Sequence, residues 1–186
     1  WQCMLTVLRR HGVDPARVTF VRNLHGADAV AAFRAGRGDF LETGQPTTEE
    51  LLAEGAAHLA ASMGEATGPV PFSSYLTTAD RLRRQPELLT RFTRAVYRAQ
   101  RWMARQSAAE IADLIAPDFT DIPADRRRRA VERYLGQKTW AADPILRRAG
   151  FESLQEILLS GGFIKRRHRY DDLVDTAYAR QAVEML

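Results

Sequence analysis

The sequence predicts an α/β protein whose C-terminal half is rich in helix, and three observations support this. Within residues 1–75, hydrophobic spacing alternates between the helical and the strand period, as it does in βα units. From Ala79 onward the helical period dominates. The composition, 45% hydrophobic and 27% charged, is typical of a globular domain. No apolar run approaches the roughly 18 to 20 residues that a membrane-spanning helix requires.

The first 45 residues are predicted to form two helices and two strands in alternation. Apolar residues three or four apart indicate the helices, whereas β-branched and aromatic runs indicate the strands. A glycine is expected just past each helix end. The predicted elements are, in order, a helix ending at Gly12, a strand at residues 18–24, a helix at residues 27–33 closed by Gly36, and a strand at residues 38–43.

A polar junction follows the second predicted strand. Thr47 and Glu50 have the T-x-x-E spacing of a capping box, which predicts a helix start immediately after Pro46. Residues 42–46 would then lie at the carboxyl end of a strand, where open α/β sheets bind their ligands. Residues 68–78, punctuated by Gly and Pro, are predicted to form a further extended segment.

The C-terminal half is predicted to be helical almost throughout. Its strongest signal begins at Pro86, where one helix face carries the apolar stripe Leu88, Phe92, Ala95, Val96, Ala99 and Trp102 and another carries arginines. We therefore expect Trp102 to pack in a core. Ser107 and Glu110 form a second predicted capping box. Further helix start or stop signals lie within residues 123–136, 143–150, 151–162 and 170–186.

The order of these segments resembles the second half of the solute-binding proteins of ABC importers. The similar branch takes up nitrate, sulfonates, taurine and thiamine-precursor pyrimidines. The segments that carry the resemblance are Leu8 to Gly12, Val18 to Val21, the run AAFRAGRGDF with Gly36 and Asp39, Gln45-Pro46, VPFSSYLTT before the Pro86 helix, RWMARQSAAEIADLIA, TWAADPIL and GGFIKRR followed by YDDLVD. Together they cover nearly the whole chain.

The resemblance implies a two-lobed clamshell of the periplasmic-binding-protein type II class, incomplete in this chain. Residues 1–72 would form a partial α/β second lobe, and residues 73–186 a crossing strand and helices that return to the first lobe. We expect the N-terminal part of the first lobe to be missing, so that the chain is a fragment. The returning helices would then expose apolar faces meant for the absent sheet.

The resemblance also implies location and partners. We expect a periplasmic or extracytoplasmic protein, with a lipid anchor as one form of attachment, although the opening WQCMLTVLRR contains no signal. The implied partners are a small-molecule solute and an ABC permease in the membrane, and the implied state is a monomer. We expect no cofactor and no metal ion.

Seven polar residues are the candidates for solute binding. A small polar or anionic solute would exchange its hydration for hydrogen bonds from side chains and backbone groups at strand and helix ends. The candidates are Asn23, His25, Glu42, Gln45, Ser73, Ser74 and Tyr75. Gln45-Pro46 departs from the acidic-Pro pair of relatives and removes one negative charge from the cleft.

Each candidate also has a purely structural interpretation. Asn23 and His25 are typical of a turn and a helix cap. Glu42 is placed to form an ion pair with Arg34 or Arg37 at the surface. The hydroxyls of residues 73–75 are able to satisfy neighbouring backbone groups.

Two other function classes compete with solute binding. An enzyme would need a nucleophile with its base, a metal set or a phosphate loop, and none appears at recognisable spacing. The resemblance keeps a pyrimidine-precursor synthase of the same fold as the alternative, although we expect no enzyme.

A nucleic-acid-binding module would rest on RRRR at 126–129 and KRRHR at 165–169, within a C-terminal part that carries a net charge of +6. Four successive arginines point round most of a helix, so we expect a solvated surface and no nucleic-acid partner.

Overall fold

The computed structural model describes residues 1–185, which fold into eleven α-helices and two short 3-10 turns, at Pro15–Arg17 and Ala116–Asp118. The α-helices are α1 Gln2–Arg10, α2 Gly26–Arg34, α3 Thr47–Ala53, α4 Met63–Thr67, α5 Ala79–Arg84, α6 Pro86–Met103, α7 Ala108–Leu114, α8 Ala124–Gly136, α9 Arg148–Ser160, α10 Tyr170–Leu173 and α11 Ala177–Glu184. None of these helices combines the length and the apolarity needed to cross a membrane.

Most of the predicted helix ends are confirmed. Gly12 and Gly36 follow α1 and α2 with φ of +73° and +76°, the left-handed conformation that glycine adopts without steric penalty. α6 begins at Pro86, because a proline at the first helical position loses no hydrogen bond. The segment 143–150 was predicted to carry a helix signal of its own. Only Arg148–Gly150 of this segment are helical, and they form the first turn of α9. Residues 170–185 form two helices, and the predicted helix end at Leu186 lies outside the described residues.

One of the two predicted capping boxes is present. The Ser107 hydroxyl accepts a hydrogen bond from the Glu110 N–H, and the Glu110 carboxylate accepts one from the Ser107 N–H at 2.8 Å. At α3 the predicted start at Thr47 is confirmed, but its cap is wrong. Pro46 occupies the N-cap position and no side chain caps this helix. The Thr48 hydroxyl donates instead to the Gly44 carbonyl at 3.2 Å, in the turn that precedes the helix.

The predicted strands at residues 18–24 and 38–43 are not formed, and residues 68–78 pair with no neighbour, so residues 1–185 contain no strand. An extended segment becomes a strand only when its backbone N–H and C=O groups pair with a neighbouring segment. The apolar side chains of these segments are correspondingly exposed, with Phe40 at 84% and Phe72 at 97%. The helix-rich C-terminal half is confirmed, whereas the α/β clamshell stays a prediction.

The best-packed part of the chain is the contact between α7 and α8. Ile111, Ala112 and Val131 are buried there, and Met103 and Leu135 pack against them. We call this pair of helices the α7–α8 unit. α3 contacts its helix α8, while α1 packs against α4 and α9. α6 packs against α11, where Ala179 and Ala182 are buried.

Three large side chains of the apolar stripe of α6 are exposed. Leu88, Phe92 and Trp102 are 50%, 45% and 37% exposed. The expectation that Trp102 packs in a core is therefore wrong for this chain. An amphipathic helix typically buries its apolar stripe against another element, whereas the helices within residues 1–185 leave these three side chains exposed.

Candidate functional site

Gln45 is the candidate whose side chain the structure holds most firmly. It lies in the turn before α3 and is half-buried. Its side-chain Nε2 donates to Glu49 Oε1 at 3.2 Å, one helical turn further on. Gln45 Oε1 is buried and has no hydrogen-bond partner among residues 1–185. A buried acceptor without a partner is unusual, because most buried polar atoms are paired.

Glu49 organises this cluster, although it was not among the residues predicted from the sequence. The residue is 2% exposed, and its carboxylate forms an ion pair with the guanidinium Nε of Arg133 on α8. A buried carboxylate needs such a partner, because transfer of an unpaired charge out of water costs several kcal/mol. Spacing along α3 does not reveal this pair, since Arg133 lies 84 positions further along the chain. The pair connects α3 to α8.

The other N-terminal candidates lie at the surface. His25 is the N-cap residue of α2 and is exposed, and its side chain makes no capping hydrogen bond. Asn23 is exposed in the loop before it. The side chain of Glu42 is also exposed. Arg34, one of its two expected ion-pair partners, is bound instead to both carboxylate oxygens of Glu54 at 2.8 Å.

Ser73, Ser74 and Tyr75 form the centre of an exposed segment that leads to α5. Tyr75 packs edge-to-face against Phe92 of α6, with the ring centroids 4.8 Å apart. Tyr75 therefore contacts α6 through its ring while staying 75% exposed.

The structure ties the two halves of the expected site to different helices. Gln45 is bound to α3, and through Glu49 to α8, whereas Tyr75 is bound to α6. Two surface grooves lie between α6 and α11 and between α1 and α9, and no candidate residue lines either. A cleft shared by Gln45 and Tyr75 stays a prediction.

The first arginine run is largely engaged within the chain. Arg127 on α8 donates to the backbone carbonyls of Ala112, at 2.8 Å, and Ile122, at 2.9 Å. Arg128 pairs with Glu132, and Arg126 pairs with its neighbour Asp125. These contacts give the arginines structural roles at the α7–α8 connection.

The second basic run is held in a similar way. The buried amide of Gln155 on α9 binds both backbone groups of His168, with Nε2 donating to the carbonyl at 3.0 Å and Oε1 accepting from the N–H at 2.6 Å. Arg167 pairs with Glu156, and Arg169 with Asp172 at 3.8 Å. These contacts tie part of the second run to α9 and α10.

Residues 2–116 match the NMT1-like family, which is more than half of the chain. The chain belongs to the NMT1-like family. This NMT1-like chain is also 30% identical over 176 residues, or 94% of its length, to a protein of Bacillus subtilis (strain 168) named "Putative binding protein YtlA". It spans about half of that relative, 53% of its length. No solved structure matches the chain.

Proposed function

We propose that the chain is part of the extracytoplasmic solute-binding component of an ABC importer. It binds a small polar or anionic solute of the sulfonate, taurine, nitrate or thiamine-precursor pyrimidine type and carries out no chemistry on it. The observation that carries this proposal is the alignment of almost the whole chain with a relative named as a binding protein, within a chain of the NMT1-like family. The monomer works in the periplasm or an equivalent compartment and delivers its solute to a membrane permease.

Binding in such a protein works through a change in the population of two states. The solute contacts both lobes only when they are closed, so it shifts an existing equilibrium towards the closed state. The affinity depends on polar groups whose hydrogen-bonding capacity is unused until the solute arrives. Gln45 Oε1 has no hydrogen-bond partner in the described part of the chain, and we propose the Gln45 side chain as one of these groups.

The apolar stripe of α6 supports the proposed division into lobes. Leu88, Phe92 and Trp102 remain exposed, although helix α6 is packed against α11. Large contiguous apolar patches are rare on the surfaces of soluble proteins and mark contacts with other elements. We propose that this stripe covers the first lobe, and that the segment before α5 is the crossing between the lobes.

Thermal unfolding of the full-length protein across a solute panel tests the function. The panel contains nitrate, taurine, ethanesulfonate, bicarbonate and an aminopyrimidine. A solute that binds only the folded state at 100 times its Kd stabilises that state by about 2.7 kcal/mol. We expect one class of solute to raise the unfolding temperature in a saturable way, and flat curves across the panel would contradict the proposal.

A companion incubation separates binding from catalysis. The solute is recovered after prolonged contact with the protein and analysed by mass spectrometry. We expect it to return unchanged. Conversion of the pyrimidine to another compound would favour the synthase-like enzyme.

A further inference from the structure

We infer that the exposed face of α6 binds an acidic amphipathic helix from the remainder of the full-length protein. That helix covers the apolar stripe with its own apolar side chains and supplies carboxylates to a row of arginines beside the stripe. This inference rests on the proposed function, in which the stripe covers the first lobe of a longer chain, and adds the chemistry of the surface that the stripe meets.

The apolar stripe runs along most of α6, which is 18 residues long. Its exposed apolar residues recur three or four positions apart, so they form one continuous face of the helix. They are Leu88, Phe92, Ala95, Ala99 and Trp102. The ring of Tyr75, which packs against Phe92 and is itself exposed, extends the apolar patch beyond the helix.

A row of arginines runs along one flank of the stripe. Arg91 and Arg98 each follow a stripe residue by three positions, and Arg105 repeats the seven-residue spacing in the turn just after the helix. All three are exposed, and none of them forms an ion pair within residues 1–185. By contrast, Arg84 on α5 and Arg128 on α8 each pair with an acid one helical turn away.

Arg98 lies at the centre of this positive charge. Its helical neighbours at i−4 and i+3 are Arg94 and Arg101, and like charges at this spacing destabilise a helix. The only acid of α6 is Glu87, about three turns away in the first turn. Arg98 therefore favours an incoming carboxylate, to which a guanidinium is able to donate two parallel hydrogen bonds.

The remainder of the full-length protein is a better occupant of this face than a second copy of the chain. The chain spans 53% of the relative from Bacillus subtilis, so a comparable length of that relative lies outside the aligned part. Two copies of the α6 face would bring arginines together, with Glu87 as the only acid that either helix supplies. Burying cations without carboxylates costs free energy.

The shape of the stripe favours a protein element over a lipid surface. Ala95 and Ala99 are small and lie between the larger Phe92 and Trp102, so the stripe is lower at its centre. A ridge of side chains on another helix fits such a groove, whereas a lipid surface presents no ridge. An acidic amphipathic helix therefore matches both the shape and the charge of this face.

Substitutions of Arg98 in the full-length protein test the charge of the covering surface. Arg98→Met keeps the length of the side chain and removes its charge, whereas Arg98→Glu reverses the charge. Opposite an acidic surface, we expect the equilibrium constant for unfolding in urea to rise about tenfold for Arg98→Met and about a hundredfold for Arg98→Glu.

Arg129 on α8 provides the matched controls, because it is also an exposed arginine without an ion pair within residues 1–185. Arg129→Met and Arg129→Glu should change the same constant by about twofold or less. Modification of arginines by phenylglyoxal, measured by mass spectrometry on the parent protein, reports coverage directly. We expect Arg98 to be protected relative to Arg129.

The outcomes that overturn the inference differ from those that overturn the solute-binding function. If Arg98→Met is as stable as the parent or more so, and Arg98→Glu no less stable than Arg98→Met, the cover is apolar without acids. Equal reactivity of Arg98 and Arg129 would show that α6 is not covered. Protection only at high protein concentration, or only with phosphatidylglycerol vesicles, would assign the face to a second copy or to lipid.

Solute binding is measured separately, by the thermal panel, so the two failures are distinguishable. A flat panel together with a protected, charge-sensitive Arg98 would remove the proposed solute and leave the contact in place. Solute binding with an unprotected Arg98 would overturn the contact alone. Should Arg98→Glu not fold, Arg98→Met and the modification rates decide the matter.

Discussion

The ion pair between Glu49 and Arg133 predicts an unequal response to removal of its two partners. Glu49 has a side chain that is only 3% exposed, whereas that of Arg133 is 27% exposed. Arg133→Met leaves the buried Glu49 carboxylate without its partner. Glu49→Met leaves a guanidinium that is able to regain part of its hydration. Removing one partner of a buried ion pair lowers the free energy of unfolding by about 3–5 kcal/mol when the remaining partner stays shielded from water.

The magnitudes follow from these exposures. We expect Arg133→Met to lower the free energy of unfolding by about 3–4 kcal/mol, near the buried limit. Glu49→Met should cost about 1–2 kcal/mol, since the charge left behind is partly solvated and the Gln45 amide loses one acceptor. The double variant should be less destabilised than the sum of the two by about 2 kcal/mol, because neither charge is then left alone.

Urea unfolding of the full-length protein, followed by circular dichroism, measures the stability of the parent, the two single variants and the double variant. Arg129→Met, at an exposed position on the same helix, is the control and should change the stability by less than about 0.5 kcal/mol. A cost for Glu49→Met equal to or above that of Arg133→Met would refute the reasoning. Additivity within about 0.5 kcal/mol would refute it as well.

Two further predictions concern the α7–α8 unit. The Ser107 N–H and hydroxyl hold the pKa of Glu110 below its ordinary 4.5, so its contribution to stability is present above about pH 4.5 and is lost as the pH falls through the lowered value. Glu110→Gln should therefore lose less stability between pH 5 and pH 3 than the parent protein, and parallel curves would contradict this. Arg127→Met should lower the free energy of unfolding in urea by about 1.5–3 kcal/mol, because it removes hydrogen bonds from a charged donor to two carbonyls. Arg129→Met is again the control. Equal effects of the two variants would contradict a structural role for Arg127.

Much of the helical structure was predictable because its signals are local. Gly12 and Gly36 end helices through their own backbone freedom, and Ser107 caps α7 within one turn. Thr47 has the same spacing as Ser107 but does not act as a cap. Pro46 takes the N-cap position, and the Thr48 hydroxyl donates to the preceding Gly44 carbonyl. The T-x-x-E pattern does not reveal this competition.

Features that depend on contacts between distant segments were harder to predict from the sequence. The runs at residues 18–24 and 38–43 have strand composition, yet a strand also needs a paired neighbour, and none is present within residues 1–185. Glu49 was missed because its partner Arg133 lies 84 positions away. The α6 stripe was identified correctly as apolar, but periodicity alone does not state what covers it.

Equilibrium dialysis followed by mass spectrometry shows whether the protein binds a solute without changing it. The full-length protein is dialysed against an equimolar mixture of the panel solutes, and the retained material is released by unfolding and analysed. We expect retention of one solute class at about one molecule per protein, with its mass unchanged. Retention of none of them, or recovery of a compound that was not supplied, would contradict it.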